Sequence, residues 1–256
     1  LDLKNRLEAD RRCFAFFHPR MPDEPLIFVE VALVQGISGD IHALLDEAAP
    51  VGDPRSADTA IFYSISNCQP GLAGISFGNF LIKQVAGDLA SELPHLKTFA
   101  TLSPIPSFRG WLDPRLAKDE ATMLTAAERK AIAELPAERG ANGLAGLVAD
   151  PRWHEDPAAT QVMKAPLMRL AARFLLTEKA SNHRALDAVE HFHLTNGARV
   201  ERLDWLADRS NKGRQQSAGI MVNYLYRLDE VEESHAAYTE QGTVAASSSI
   251  KTLARL

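Results

Sequence analysis

The sequence has few of the features that mark secreted, membrane or metal-binding proteins. Its 256 residues include only two cysteines, Cys13 and Cys68, which stand too far apart for a C-x-x-C or zinc-ligand spacing, so we expect reduced thiols and no metal site. No apolar run approaches the roughly 18 residues of a membrane span, and the first residues lack the apolar core of a signal peptide. We therefore expect a soluble protein inside the cell, in the cytoplasm or, in a eukaryote, in the peroxisome or the mitochondrial matrix.

The sequence also lacks a strong excess of charge of either sign. The chain carries 33 acidic and 28 basic side chains, a net charge of -5, and has no run of lysine and arginine, which argues against a nucleic-acid partner. With 46% hydrophobic residues, the composition is that of an ordinary globular protein. Because there is neither a repeat nor a low-complexity linker, we predict one domain over residues 1–256. Its partner should be a small molecule rather than nucleic acid or a membrane.

A strand, a glycine loop, a long helix and a second strand follow one another in the middle of the chain. Residues 61–66 are β-branched and aromatic, as in a strand, and turn residues interrupt them at 67–74. From Ser76 the apolar residues recur every four positions until a proline ends the pattern, which predicts an amphipathic helix. Residues 96–102 form the second predicted strand. The proline after Ser103 favours an extended backbone for that serine, at the carboxyl end of the strand.

The glycine loop of this unit is suited to binding a phosphate group. Backbone N–H groups at a helix start lie beside the positive end of the helix dipole, where a pyrophosphate binds well. The loop fits neither the Walker pattern nor the G-x-G-x-x-G fingerprint. It resembles instead the Gln/Arg-x-x-Gly-x-Gly/Ala loop of the acetyltransferase superfamily called GNAT, which holds the pyrophosphate of coenzyme A (CoA). Such glycines also serve simply to make a turn, and a serine at this point also serves to cap the helix. The candidate binding residues are Gln69, Gly71, Leu72, Ala73, Gly74 and Ser76.

The rest of the chain supplies further strands and a helical region. Its patterns predict strands over residues 11–17, 26–34, 185–194 and 219–228 and helices over residues 38–49 and 163–179. Thr125 and Glu128 form a capping-box signature within a stretch that is rich in helix-forming residues. We therefore predict a helical insertion over about residues 113–182.

Seven blocks of the sequence, taken in order, match a known pattern. They are residues 12–19, 25–33, 62–66, 78–83, 102–106, 192–198 and 221–224. These blocks resemble the malonyl-CoA decarboxylase family, and the resemblance covers most of the chain. It implies a GNAT-like domain of the α/β (α+β) class, with a mixed, mostly antiparallel sheet flanked by helices on both faces and opened near Gln69 to admit CoA.

The same resemblance implies an activity and a set of partners. The activity is conversion of malonyl-CoA to acetyl-CoA and carbon dioxide, with CoA as part of the substrate and no separate cofactor. The family's usual chain carries a helical domain ahead of this one, and nothing in the sequence corresponds to it. We expect a catalytic domain that acts on malonyl-CoA as a homo-oligomer.

Two catalytic residues follow from the resemblance. The segment Leu-Ser-Pro-Ile-Pro bears the family's catalytic serine, here Ser103, and Phe-His-Leu-x-Asn-Gly-Ala bears its catalytic histidine, here His193. The sequence has no Gly-x-Ser-x-Gly elbow, so Ser103 is better suited to binding than to nucleophilic attack. His191 lies two residues before His193, so on a strand both side chains would face the same way. A hydrogen-bonded pair of structural histidines is the alternative interpretation.

Asn223 and Tyr224 belong to another matching block. They are predicted to line the pocket or bind the thioester, although an ordinary strand would explain them equally well. At the position of Ser76 some family members carry a glutamate, so no role of an acid is transferred to it.

Decarboxylation needs a group that binds the departing carboxylate. It also needs a group that stabilises the enolate oxygen or delivers a proton to the α-carbon. A serine hydroxyl can do the first and a histidine the second. Two other functions stay open at this point: a GNAT-type acyltransferase, which would need an acceptor amine, and an acyl-CoA-binding module without turnover.

Overall fold

The computed structural model describes residues 7–69, 71, 80–136, 143–181 and 183–255, and the backbone alone for Asn67, Phe80 and Leu81. Its strands are β1 (Arg11–His18), β2 (Met21–Val34), β3 (Thr59–Asn67), β4 (Thr98–Thr101), β5 (Ser103–Pro104), β6 (Arg199–Asp204) and β7 (Met221–Leu225). Its helices are α1 (Ile41–Leu44), α2 (Phe80–Glu92), α3 (Phe108–Met123), α4 (Ala126–Ala133), α5 (Gly143–Ala149), α6 (Pro157–Thr177), α7 (Ala188–Thr195), α8 (Asn211–Ser217), α9 (Val231–Gln241) and α10 (Ser248–Arg255).

The strands form one mixed sheet in the order β1-β2-β3-β4-β7-β5, and β6 pairs with β7 as well. All strand pairs are antiparallel except β3 with β4. The predicted class, a mixed and mostly antiparallel sheet flanked by helices, is therefore confirmed. No helix in the described ranges is long and apolar enough to cross a membrane.

The central unit β3-α2-β4 has the predicted arrangement, with its two strands as parallel neighbours joined by the helix. Thr59–Phe62 pair with Thr98–Thr101, and α2 turns Val85 and Leu89 into the core. Beyond Phe62, β3 continues to Asn67, but the chain after β4 turns away into β5 and pairs with β7 instead. The sheet thus opens between β3 and β5, on the side that leads to Gln69, as expected.

The helices α3 to α6 form a helical region that lies in the sequence between strands β5 and β6. It begins at Phe108, five residues before the predicted start of the insertion, and ends at Thr177. The predicted capping box is present, with Thr125 and Glu128 bonding to each other's backbone amides. These helices share one hydrophobic core with the sheet, as they would in a single domain. The assignment of residues 1–256 to one domain with an insertion at 113–182 stays a prediction.

Two local predictions are wrong. Residues 185–194 do not form a strand, because Asp187 accepts hydrogen bonds from the amides of Val189 and Glu190 and so begins helix α7. The helix expected over 38–49 is reduced to α1, because Asp40 rather than an earlier residue caps its first turn and Leu45 already leaves the helical conformation.

Candidate active site

The structure brings Ser103 and His193 into contact, although 90 positions separate them in the chain. The serine Oγ lies 3.0 Å from the histidine Nε2, and the two residues are 5% and 3% exposed. Ser103 lies on β5, immediately after the point where the sheet opens, and His193 lies in the last turn of α7. The two predicted catalytic residues therefore form one buried polar site beside the opening of the sheet.

Asp187 joins the two segments that carry this pair. Its Oδ1 accepts hydrogen bonds from the amides of Val189 and Glu190 in the first turn of α7. Its Oδ2 accepts a hydrogen bond of 2.9 Å from the amide of Ser107, four residues after Ser103. The carboxylate is completely buried, and it fixes the start of the histidine's helix against the chain that leaves β5.

Hydrogen bonds on both sides of His193 determine which of its nitrogens carries the proton. Ser103 Oγ donates to Thr101 Oγ1 at 2.8 Å, so its single hydroxyl proton is already used. We therefore assign Nε2–H of His193 as the donor to Ser103 Oγ, and the Tyr226 hydroxyl as the donor to Nδ1 at 2.7 Å. In this arrangement the histidine does not accept a proton from the serine, which supports a binding serine over a nucleophile.

Burial keeps the side chains of His193 and Tyr226 neutral. It lowers the pKa of His193 to about 3, so the imidazole is uncharged at neutral pH. It raises the pKa of Tyr226 well above its usual value, so the phenol keeps the proton that it donates. The ring of Tyr224 stacks on the imidazole with centroids 4.5 Å apart and planes 25° apart. A neutral imidazole held in this way is a hydrogen-bond donor of fixed direction.

The lowered pKa of His193 predicts a pH dependence of stability. Between about pH 6.5 and about pH 3 the unfolded chain protonates this histidine and the folded chain does not, so stability present above pH 6.5 is lost as the pH falls. From about pH 7 to about pH 5, we expect the His193→Gln variant to lose roughly 2 kcal/mol less free energy of unfolding than the parent. Urea unfolding at both pH values measures this. An equal loss in both proteins would contradict a neutral buried His193.

Removing the Asp187 carboxylate should affect both stability and turnover. We expect Asp187→Ala to lower the free energy of unfolding by about 1–2 kcal/mol for the lost helix cap, and also to lower kcat because the Ser103 and His193 segments lose their connection. The matched control is Asp156→Ala, which removes the N-cap of α6. It should lose similar stability with kcat unchanged. Equal effects of the two variants on kcat would contradict a positioning role for Asp187.

The other predicted site residues lie in different surroundings. Tyr224 belongs to the wall of the site through its stack with His193. Asn223 points to the opposite face of the sheet, where its amide donates to the carbonyls of Thr101 and Ser38 at 2.7 and 2.9 Å. His191 bonds Tyr238 through Nδ1 at 2.7 Å. On a helix, side chains two residues apart point to different faces, so the predicted shared face of His191 and His193 is wrong.

The predicted CoA loop is described only at its start. The Gln69 amide donates to Glu24 Oε2 at 3.3 Å and to the carbonyl of Pro25 at 3.4 Å. Gly71 is exposed, with open space where a Cβ would stand. The parts of the loop outside the described residues are Leu72, Ala73, Gly74 and Ser76. The roles of all these residues, and of Asn223 and Tyr224, in binding the substrate stay predictions.

Sequence reasoning missed Thr101, Tyr226 and Asp187. Thr101, at the end of β4, lies two residues before Ser103, and Tyr226, directly after β7, lies two residues after Tyr224, so the period of two is a usable signal. Asp187 stands directly before an apolar helical segment, which is a capping signal. Among the described side chains, no three of His, Cys, Asp or Glu are grouped so that they could hold a metal ion.

Comparison with known proteins agrees with the resemblance in the sequence. The family model described as the malonyl-CoA decarboxylase C-terminal domain matches residues 1–256. The mitochondrial malonyl-CoA decarboxylase of Rattus norvegicus is 38% identical over 262 residues, which cover 99% of this chain and 53% of that protein. That of Anser anser anser is 38% identical over 257 residues, which cover 98% of this chain and 51% of that protein.

Two solved structures are similar over nearly the whole chain. The malonyl-CoA decarboxylase from Rhodopseudomonas palustris has a TM-score of 0.85 and 47% identity, covering 96% of this chain and 53% of that one. The one from Agrobacterium vitis has a TM-score of 0.86 and 47% identity, covering 98% and 59%. This chain thus spans about half the length of the curated relatives that it matches. By sequence and by fold, the chain belongs to the malonyl-CoA decarboxylase family.

Proposed function

We propose that this chain catalyses the decarboxylation of malonyl-CoA to acetyl-CoA and carbon dioxide at the Ser103–His193 pair. The observation that carries the proposal is the buried contact of 3.0 Å between Ser103 Oγ and His193 Nε2, beside the opening of the sheet. The family to which the chain belongs supports the choice of substrate. CoA enters the reaction as part of the substrate, so the proposal includes no separate cofactor.

The buried site suits a reaction in which charge moves from one end of the substrate to the other. The negative charge of the malonyl carboxylate passes to the thioester oxygen as the carbon–carbon bond breaks. A site with little water favours this step, because the carboxylate loses its hydration shell and fixed donors replace it. Ser103 supplies a hydroxyl for the carboxylate, after its proton turns away from Thr101. The neutral His193 supplies Nε2–H, which the developing enolate oxygen shares with Ser103 Oγ as acceptor.

The remaining parts of the proposal concern entry, assembly and location. The acyl chain enters where β3 and β5 part, and the loop that begins at Gln69 holds the pyrophosphate. We also propose that the chain acts as a homo-oligomer. The relatives named above comprise mitochondrial and bacterial proteins, so the mitochondrial matrix and the cytoplasm are both proposed locations.

Incubating the purified chain with malonyl-CoA, with and without an amine acceptor, tests this function against its two alternatives. Release of acetyl-CoA and carbon dioxide in equal amounts without an acceptor is the expected result. Acyl transfer that occurs only with an amine would favour an acyltransferase instead. Saturable binding without any product would favour an acyl-CoA-binding module. Either of the last two results would contradict the proposed reaction.

A further inference from the structure

Three buried polar groups near His193 have no hydrogen-bond partner among the described residues. They are both carboxyl oxygens of Glu190, the amino group of Lys179 and the hydroxyl of Tyr224. Glu190 and Tyr224 are completely buried, whereas Lys179 is half-buried. A buried polar group without a protein partner costs free energy unless internal water solvates it. Three such groups in one neighbourhood indicate a small polar compartment inside the core.

This compartment lies directly behind the active site. Glu190 precedes His193 by three residues on α7, so the two side chains leave the helix on the same face. Tyr224 stacks on the imidazole and interacts electrostatically with Glu190. The charged groups that face Glu190 are Lys179 from the segment after α6 and Asp187 at the N-cap of α7. From α9, Tyr238 also lies within its electrostatic reach.

The surroundings of Glu190 favour the neutral acid form of its carboxyl group over the carboxylate. Burial raises its pKa well above the ordinary value, and the negative charge of Asp187 adds to the effect. The positive charge of Lys179 acts in the opposite direction. The groups that touch the histidine are poor proton sources by comparison, because burial raises the pKa of the Tyr226 phenol far above neutrality.

The proposed reaction consumes a proton in every turnover. The bond between the α-carbon and the carboxylate breaks, carbon dioxide leaves, and the electron pair forms an enolate that must take one proton at the α-carbon. This inference rests on the proposed function. We propose that Glu190 is the internal proton source for this step, connected to the active site through the Tyr224 hydroxyl and internal water. The proton moves along this relay, Glu190 becomes a carboxylate, and Lys179 returns a proton to it from solvent.

The Glu190→Gln variant tests this relay, because it keeps the shape of the side chain and removes the acidic proton. We expect kcat to fall at least about tenfold and KM to stay within about twofold of the parent. In the parent, kcat should decline as the pH rises through the pKa of Glu190, since the acid form is required. The glutamine variant should lack that alkaline decline. A glutamine variant with the kcat and the pH profile of the parent would overturn the proposal.

A matched control is Glu128→Gln, which removes a carboxylate that pairs with Arg169 in another part of the core. It should lower stability and leave both kcat and its pH profile unchanged. If Glu190→Gln does not fold, Lys179→Met decides. This variant removes the group that returns the proton, so kcat should fall. Loss of the lysine charge also raises the pKa of Glu190 further, so the alkaline decline should move to higher pH, and an unmoved decline would overturn the relay.

Infrared spectroscopy separates this proposal from the proposed function, because it needs no turnover. The difference spectrum between the parent and Glu190→Gln at neutral pH should contain the carbonyl band of a protonated carboxylic acid. A carboxylate band in its place would overturn the proton source, whether or not the chain acts on malonyl-CoA. An absence of acetyl-CoA in the parent would instead overturn the proposed function.

Discussion

Replacing His193 with alanine is expected to lower kcat for malonyl-CoA by at least about a hundredfold, with a much smaller change in KM. The imidazole is oriented by Tyr226 on one nitrogen and Ser103 on the other. It stabilises negative charge on the enolate oxygen, which develops only as the carbon–carbon bond breaks. An interaction made only in the transition state affects kcat rather than substrate affinity. Steady-state kinetics over a range of malonyl-CoA concentrations measures both quantities.

His191→Ala is the matched control for this variant. It removes the same kind of side chain from the same helix, but its ring bonds Tyr238 and points away from Ser103. We expect a far smaller loss of kcat than for His193→Ala. A folded His193→Ala protein with full activity, or equal losses in the two variants, would exclude His193 as the catalytic histidine.

Replacing Ser103 with alanine should also lower kcat by at least about a hundredfold. The variant leaves the site without the hydroxyl that we assign to the malonyl carboxylate, and it leaves Nε2–H of His193 without its acceptor. Ser107→Ala is a suitable control, because the backbone amide of Ser107 rather than its hydroxyl bonds Asp187. Its kcat should stay within about twofold of the parent.

The chemical role of Ser103 can be examined in the unmodified protein. The assigned proton positions make the serine a hydrogen-bond donor and not a nucleophile, so no covalent intermediate should accumulate. Mass spectrometry of the intact protein, quenched with acid during turnover, should give the mass of the free chain alone. A malonyl or acetyl adduct on Ser103 would contradict this role.

The sequence predicts the part of this site that depends on local patterns. The apolar period of α2 and the β-branched run of β3 are visible in the sequence, and the proline after Ser103 correctly indicates its extended backbone. The contact between Ser103 and His193 depends on how β7 pairs with β5, which carries the serine, and with β6, which follows the histidine's helix. No local pattern predicts that register, so only the family resemblance indicates that the two residues lie close together.

The failures have identifiable physical causes. The segment of His193 combines β-branched and aromatic residues with an alternation that favours a strand, but the cap at Asp187 and the left-handed Gly197 at its end make it a helix. Strand β6 escapes a pattern search because a bulge separates Val200 from Arg202, so its buried residues Val200 and Leu203 are not an even number apart. In both places, local features of the chain outweigh the periodicity.

The central claim is that Ser103 and His193 act as one unit, and a double-mutant cycle on kcat tests it most directly. The cycle compares the parent, Ser103→Ala, His193→Ala and the double variant in the malonyl-CoA assay. Each side chain orients the other across a contact of 3.0 Å. The kcat of the double variant should therefore be only slightly below that of the less active single variant. Losses that multiply would show that the two residues act independently, and would contradict the account.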